Sequence, residues 1–149
     1  MPINKGMMSS LVENWGTPPD FFAELNKEFG FTLDVCAQPH NAKVSKYFTP
    51  EQDGLAQDWG QEVCWMNPPY GRKIGDWMRK ARNAAWGGAI VICLVPARTD
   101  TKWWHEFAMT GEIRFIRGRL RFIQPDGNPG QSAPFPSAVV IFRSSDANN

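Results

Sequence analysis

Residues 62–95 read EVCWMNPPYGRKIGDWMRKARNAAWGGAIVICLV, and the pattern of this stretch decides the fold class. Glu62–Met66 has the character of a strand and runs into Asn67-Pro68-Pro69-Tyr70. Ile74, Trp77, Met78, Ala81 and Ala85 then recur at helical spacing as far as Gly87-Gly88. Ala89–Val95 is continuously apolar, the pattern of a strand covered on both faces of a parallel sheet. Strand, helix and strand in this order make a unit of an α/β sheet.

Upstream, Thr17-Pro18-Pro19-Asp20 predicts a helix start, with the Thr17 hydroxyl as N-cap, proline at the first helical position and an acid in the first turn. Phe21, Phe22, Leu25 and Phe29 fall on one face of that helix, and Gly30 ends it. Phe31–Val35 predicts a short strand, and a second is expected around Val44–Phe48. Only 33 residues separate Asp34 from Asn67. A βαβ crossover takes about 30 or more residues, so at most one helix fits between them.

Downstream, Asp100 is expected to cap a helix carrying Trp103, Trp104 and Phe107. Glu112–Ile116 and Arg119–Ile123 predict two strands turning at Arg117-Gly118, and Ala138–Phe142 predicts a last one. The expected architecture is a reduced doubly wound α/β sheet, mainly parallel, with an antiparallel edge from the C-terminal strands. Residues 1–149 fit a single domain, with 1–13 and 144–149 as loose ends and no separate target-recognition domain.

Composition narrows the classes. No apolar run reaches the ~18 residues of a membrane span, and the first residues lack signal-peptide architecture. Cys36, Cys64 and Cys93 are dispersed and His40 and His105 isolated, so no metal site is expected and the thiols are expected to be reduced, in the cytoplasm. Net charge is +1, yet residues 1–62 carry four Lys/Arg against nine Asp/Glu, and residues 63–149 carry twelve against six. An acidic first part and a basic second part suit a cationic small molecule and an anionic polymer, or simply an uneven surface.

The tetrapeptide Asn67-Pro68-Pro69-Tyr70 carries the chemistry. It lies where open α/β sheets bind ligands, at the carboxyl end of a strand. An aromatic amine is a poor nucleophile because its lone pair is delocalised into the ring. Two acceptors aimed at its N–H groups, the Asn67 side-chain oxygen and the Pro68 carbonyl, would draw the nitrogen toward tetrahedral geometry. Pro68 and Pro69 stiffen the backbone that holds these acceptors. Tyr70 offers a flat face on which an extruded base can stack, worth roughly 1–3 kcal/mol. The plainer alternative is a proline-stiffened loop with a surface tyrosine.

The stretches WGTPPDFF, FTLDVCAQPHNAK, YFTPEQDGLAQDW, VCWMNPPYG, LVPARTDTKWWH and IRGRLRF make the chain resemble the phage-type, Dam-like DNA N6-adenine methyltransferases across nearly all of residues 15–143. The resemblance implies a methyltransferase fold, S-adenosylmethionine as donor, double-stranded DNA as partner, and Asn67, Pro68, Pro69 and Tyr70 at the target amine. It also implies a cofactor site. Trp15, Thr17, Pro18 and Phe21 match the segment that packs over the methionine end of the cofactor. Asp34, Cys36 and Ala37 match the acid and small residues after the first strand, and Asn67 borders both sites.

A carboxylate beside a sulfonium or ammonium is worth up to ~4 kcal/mol at contact with an effective dielectric of 20. The less favoured alternative is that Asp34 only caps its own turn. Asp53 or Asp58 would meet the adenosine, with Asp53 preferred because Gly54-Leu55 can form a close turn against a base. Two departures stand out: Cys36-Ala37-Gln38-Pro39 replaces the expected glycine-rich turn, and DNA specificity is left to short loops.

Basic residues flank the motif. Arg72 and Lys73 follow it, Arg79, Lys80 and Arg82 continue along the helix, and Arg114, Arg117, Arg119 and Arg121 lie in the late strands. Arg98, Thr99 and Lys102 follow the buried strand. Neutralised phosphates would account for them. Arg119 and Arg121 are expected to face outward while Leu120 and Phe122 face the core. Trp103-Trp104 could wedge between bases, although core packing suits at least one of them.

The favoured function is methyl transfer to adenine N6 in DNA by a monomer or weak homodimer, in the host cytoplasm if the chain is phage or prophage encoded. The alternatives are an RNA base or protein glutamine as acceptor, or an inactive nucleic-acid-binding module. No cysteine lies in a nucleophile motif, which disfavours thiolate chemistry on cytosine C5.

Overall fold

The computed structural model describes residues 15–124 and 127–148. Helix α1 spans Pro19–Phe29, with Pro18 at the N-cap, Pro19 in the first turn and Gly30 closing it at φ +66°. The Thr17 hydroxyl makes no capping bond. It is buried and turned toward Asn67, so the expected cap is replaced by a tertiary contact. Phe22 and Leu25 are buried, while Phe21 and Phe29 pack at the edge of the core.

Strand β1 is only Leu33–Asp34 and pairs in parallel with β2, Val63–Met66. The strand expected at Val44–Phe48 shrinks to one bridge, Tyr47 with Asp34. No α-helix joins β1 to β2; the link contains a 3-10 turn at Gly54–Ala56. A Cβ on Gly54 would lie 2.2 Å from the Val35 carbonyl, so only glycine permits this approach to the end of β1.

Helix α2, Ile74–Trp86, buries Ile74, Trp77, Met78, Ala81 and Ala85, as its periodicity predicts. Full burial of a large apolar side chain contributes about 1.5–3 kcal/mol, so this face anchors the helix to the sheet. Strand β3, Ile90–Pro96, follows in parallel with β2. Helix α3, Lys102–Glu106, is capped by the Thr101 hydroxyl, which accepts from the Trp104 N–H at 3.3 Å; Asp100 stays exposed. Trp104 is buried and Trp103 half-buried.

The late strands depart most from expectation. Strand β4, Glu112–Phe115, does not form a hairpin with β5, Arg121–Ile123. The order of the main sheet is β1-β2-β3-β7-β4, where β7 is Ser137–Phe142. β7 runs antiparallel between β3 and β4, so the antiparallel strand lies one place in from the edge. Side-chain composition explains the exchange. SAVVIF is buried at every position and needs neighbours on both sides, whereas EIRF carries Glu112 and Arg114 and tolerates an edge.

Strand β5 pairs instead with β6, Pro129–Ser132, as a separate two-stranded sheet, and Ile123 also bridges to Gly16. Phe122 faces inward while Arg119 and Arg121 are exposed, as the alternation predicts. Ser144–Asn148 form a 3-10 turn against α2, where the sequence suggested a loose end. Residues 1–13, also expected to be loose, lie outside the described residues. Among the described residues no helix is long and apolar enough to cross a membrane.

Candidate active site

The Asn67-Pro68-Pro69-Tyr70 segment leaves the carboxyl end of β2, and the ladder shows why its residue types matter. Ile90 N–H donates to Glu62 O at 3.0 Å. Steps of two along this parallel pair bring Leu94 O opposite the nitrogen of residue 68, which is proline and has no hydrogen. The Tyr70 hydroxyl fills the gap, donating to Leu94 O at 2.9 Å.

Tyr70 is therefore a buried strand-end donor, with its ring edge-on to Phe122 and Phe135. This differs from the open stacking face anticipated from sequence: aromatic rings cover it. Burial raises its phenol well above the ordinary range, so it stays protonated.

Asn67 is oriented by contacts from far away in sequence. Its Nδ2 donates to the Trp15 carbonyl and, at 2.9 Å, to the Thr17 Oγ1. A carbonyl can only accept, so the nitrogen must face Trp15 and the amide cannot be flipped. Its Oδ1 is buried and has no hydrogen-bond partner among the described residues. No hydrogen bond to the Pro68 carbonyl is present among the described residues. A buried unpaired acceptor is costly and rare, and Glu62 Oε2 and Ser137 Oγ share this state among the described residues.

Asp34 sits one strand away, opposite Trp65. Its two oxygens accept from the backbone N–H of Cys36 at 3.2 Å and of Lys43 at 3.0 Å. Burial raises its pKa to about 6, and these two backbone bonds only partly counter that. Lys43 turns its ammonium to the Thr17 carbonyl at 3.1 Å, and burial lowers its pKa. A chain of contacts thus runs Asp34, Lys43, Thr17, Asn67.

Cys36 is half-buried and Ala37 buried beside Asp34. The exposed Asp53 adopts φ +54° and caps its own turn through Leu55 N at 3.2 Å. Through Gly54 this turn abuts the end of β1. Asp58 caps the Gly60 N–H at 2.8 Å, five residues before β2 begins. It belongs to the amino end of that strand, where Asp58, Trp59, Gln61, Lys80 and Asn83 line a shallow hollow away from Asn67. Pro18 and Phe21 stand at the start of α1, half-buried. No group of metal-binding side chains occurs among the described residues.

The profile of the family described as DNA N-6-adenine-methyltransferase (Dam) matches residues 6–148. The chain belongs to this family. It is 33% identical over 133 residues to the DNA N-6-adenine-methyltransferase of Haemophilus phage HP1 (strain HP1c1), covering 86% of this chain and 77% of that protein. It is 31% identical over 154 residues to the enzyme of the same description from Escherichia phage T1, covering 87% of this chain and 62% of the phage protein. A putative methyltransferase of Escherichia coli (strain K12), YfdM, is 37% identical over 70 residues, 42% of this chain and 77% of that protein.

In this Dam-family chain the basic residues divide into two groups. Arg114 is committed, bridging Glu28 at 2.7 Å and Glu112 at 2.6 Å, and Glu112 also holds Arg143. Arg79 pairs with Asp76, Lys80 lies over Trp59, and Arg82 lies over Trp86 and Phe107. Arg72, Lys73, Arg98, Arg117 and Arg121 are exposed and have no ion pair among the described residues. Arg98 and the exposed Thr99 follow the carboxyl end of β3. Lys102 reaches Glu106 at 3.6 Å, and Arg119 donates to the Ala133 carbonyl at 3.3 Å.

Sequence reasoning missed the Trp15 carbonyl, Lys43, Leu94, Phe122 and Phe135. The first and third act through backbone, which carries no side-chain signal. The aromatic rings are indistinguishable in sequence from ordinary core residues.

Proposed function

We propose that the chain transfers the methyl group of S-adenosylmethionine to the exocyclic N6 amino group of an adenine in double-stranded DNA, on a methyltransferase-like sheet. The buried Asn67 Oδ1, which has no partner among the described residues, carries this reading, and the phage relatives' descriptions support the choice of adenine and DNA. Asn67 Oδ1 and the Pro68 carbonyl accept from the two amino hydrogens. The nitrogen pyramidalises and its lone pair is released from the ring. The surplus proton leaves to water, so no general base is required. Positioning supplies most of the acceleration.

The residues present fit the donor. Asp34 is a buried carboxylate with no ion pair among the described residues, the Lys43 ammonium acting on it only through space, so a further cation would compensate it. Cys36, Ala37 and the Asp53–Leu55 turn adjoin the end of β1, and Trp15, Pro18 and Phe21, from the segment that enters the first helix, complete the donor side. S-adenosylmethionine, when bound, supplies an electrophilic methyl on a sulfonium. For a base to lie against Tyr70, the Phe135 and Phe122 rings must turn aside. Stacking worth roughly 1–3 kcal/mol then offsets part of the few-kcal/mol cost of unstacking. Arg72, Lys73, Arg98, Thr99, Lys102, Arg117, Arg119 and Arg121 contact the DNA.

The test is incubation with labelled cofactor and separate DNA, RNA and protein acceptors. Label is expected in DNA as N6-methyladenine. Asn67→Ala is expected to lower turnover roughly a hundredfold or more, on the scale of removing one preorganised transition-state contact, while cofactor affinity stays near wild type. Label in RNA or protein alone, or wild-type turnover in the variant, ends the reading. DNA binding without label in any acceptor would show an inactive binding module instead.

A further inference from the structure

The hydroxyl of Thr17 has a use that its place in the sequence does not suggest. It precedes a helix and has the chemistry of a cap, yet it makes no capping bond. It is 4% exposed, and its oxygen accepts from Asn67 Nδ2 at 2.9 Å. Its own carbonyl is held by Lys43. The segment carrying it is locked to β5: Gly16 N–H donates to Ile123 O at 3.2 Å, and Ile123 N–H donates to Gly16 O at 2.8 Å. A Cβ on Gly16 would stand 2.7 Å from that Ile123 carbonyl, so the close fit depends on glycine.

An asparagine amide on a loop can rotate about χ2 over a broad range. Two acceptors on its nitrogen remove that freedom. The Trp15 carbonyl decides which end of the amide is nitrogen, and the Thr17 oxygen fixes the plane. Oδ1 is then held in one direction, with no partner among the described residues.

We propose that Thr17 is a positioning residue for methyl transfer: with the Trp15 carbonyl it locks the Asn67 amide so that Oδ1 meets the substrate amine. The proposal rests on the reading of Asn67 given above. It assigns Thr17 an effect on turnover rather than on cofactor affinity, because its polar contacts are with Asn67 and Lys43.

The experiment compares wild type, Thr17→Val and Thr17→Ser for kcat, KM for DNA and directly measured S-adenosylmethionine affinity, together with solvent exchange of the Asn67 side-chain amide protons by NMR. Valine matches the shape of threonine and removes the acceptor. It is expected to lower kcat about tenfold, the scale of one lost hydrogen bond, with KM and cofactor affinity within about twofold of wild type. Serine is expected to restore kcat. One Asn67 amide proton is expected to lose protection in Thr17→Val and keep it in Thr17→Ser.

Unchanged kcat in Thr17→Val overturns the proposal. So does a loss confined to cofactor affinity, which would make Thr17 a cofactor contact. If the valine variant does not fold, the amide protons of wild type and Thr17→Ser decide: protection of both supports the lock, and rapid exchange overturns it. If wild type forms no N6-methyladenine although both protons are protected, the functional reading has failed and the positioning role falls with it. Methylation by wild type with unprotected protons removes the lock alone.

Discussion

Asp34 and Lys43 meet where β1 ends: the Lys43 backbone N–H donates to Asp34 Oδ2 at 3.0 Å. The same lysine sends its side chain across to Thr17, which touches Asn67. One residue therefore ties the acidic end of the first strand to the motif at the end of the second.

This burial gives Asp34 a pH signature. Its pKa rises from 3.8 to about 6 on folding, so the folded chain holds the proton more tightly than the unfolded chain. Stability must then fall as pH rises through the window from about 4 to about 6, and level off above it. The difference corresponds to at most about 3 kcal/mol. Urea unfolding of wild type and Asp34→Asn across this range should show the wild type losing stability relative to the variant. A difference that is constant with pH would contradict the assignment.

Tyr70→Phe separates the two uses of Tyr70. Loss of the hydroxyl leaves the Leu94 carbonyl unpaired inside the sheet, so stability should drop by about 1–3 kcal/mol. The ring remains, so kcat below the melting range should stay within about threefold. Unchanged stability would mean that water or another donor takes the place of the phenol.

DNA binding should discriminate between the free and the committed arginines. Arg98→Ala and Arg72→Ala are each expected to weaken binding uniformly across sequences and to reduce the salt slope by about one. Arg114→Ala should instead destabilise the fold through Glu28 and Glu112, whose carboxylates it holds below their ordinary range. Equal salt slopes for all three variants would remove the distinction.

Thiol chemistry should be dispensable. Burial pushes Cys36 and Cys64 up to about 12 and Cys93 well above its ordinary value, so none supplies a thiolate near neutral pH. Brief alkylation with iodoacetamide at pH 7 should leave turnover within about twofold, and Cys36→Ser should do the same. Rapid inactivation at Cys36 would place that sulfur in the mechanism.

Local patterns in the sequence sufficed for α2, β2 and β3, for the trimmed link between β1 and β2, and for the placement of Asn67-Pro68-Pro69-Tyr70 at a strand end. Those features follow from periodicity, chain length and proline chemistry, which act over a few residues. Tertiary structure alone decided that Thr17 serves Asn67 rather than its helix, that Tyr70 is covered, and that β7 enters the sheet between β3 and β4. Each of these depends on partners many residues away, Asn67 for Thr17, Phe122 and Phe135 for Tyr70, and β3 for β7. A buried polar group or apolar strand takes whichever partner the packed chain brings to it.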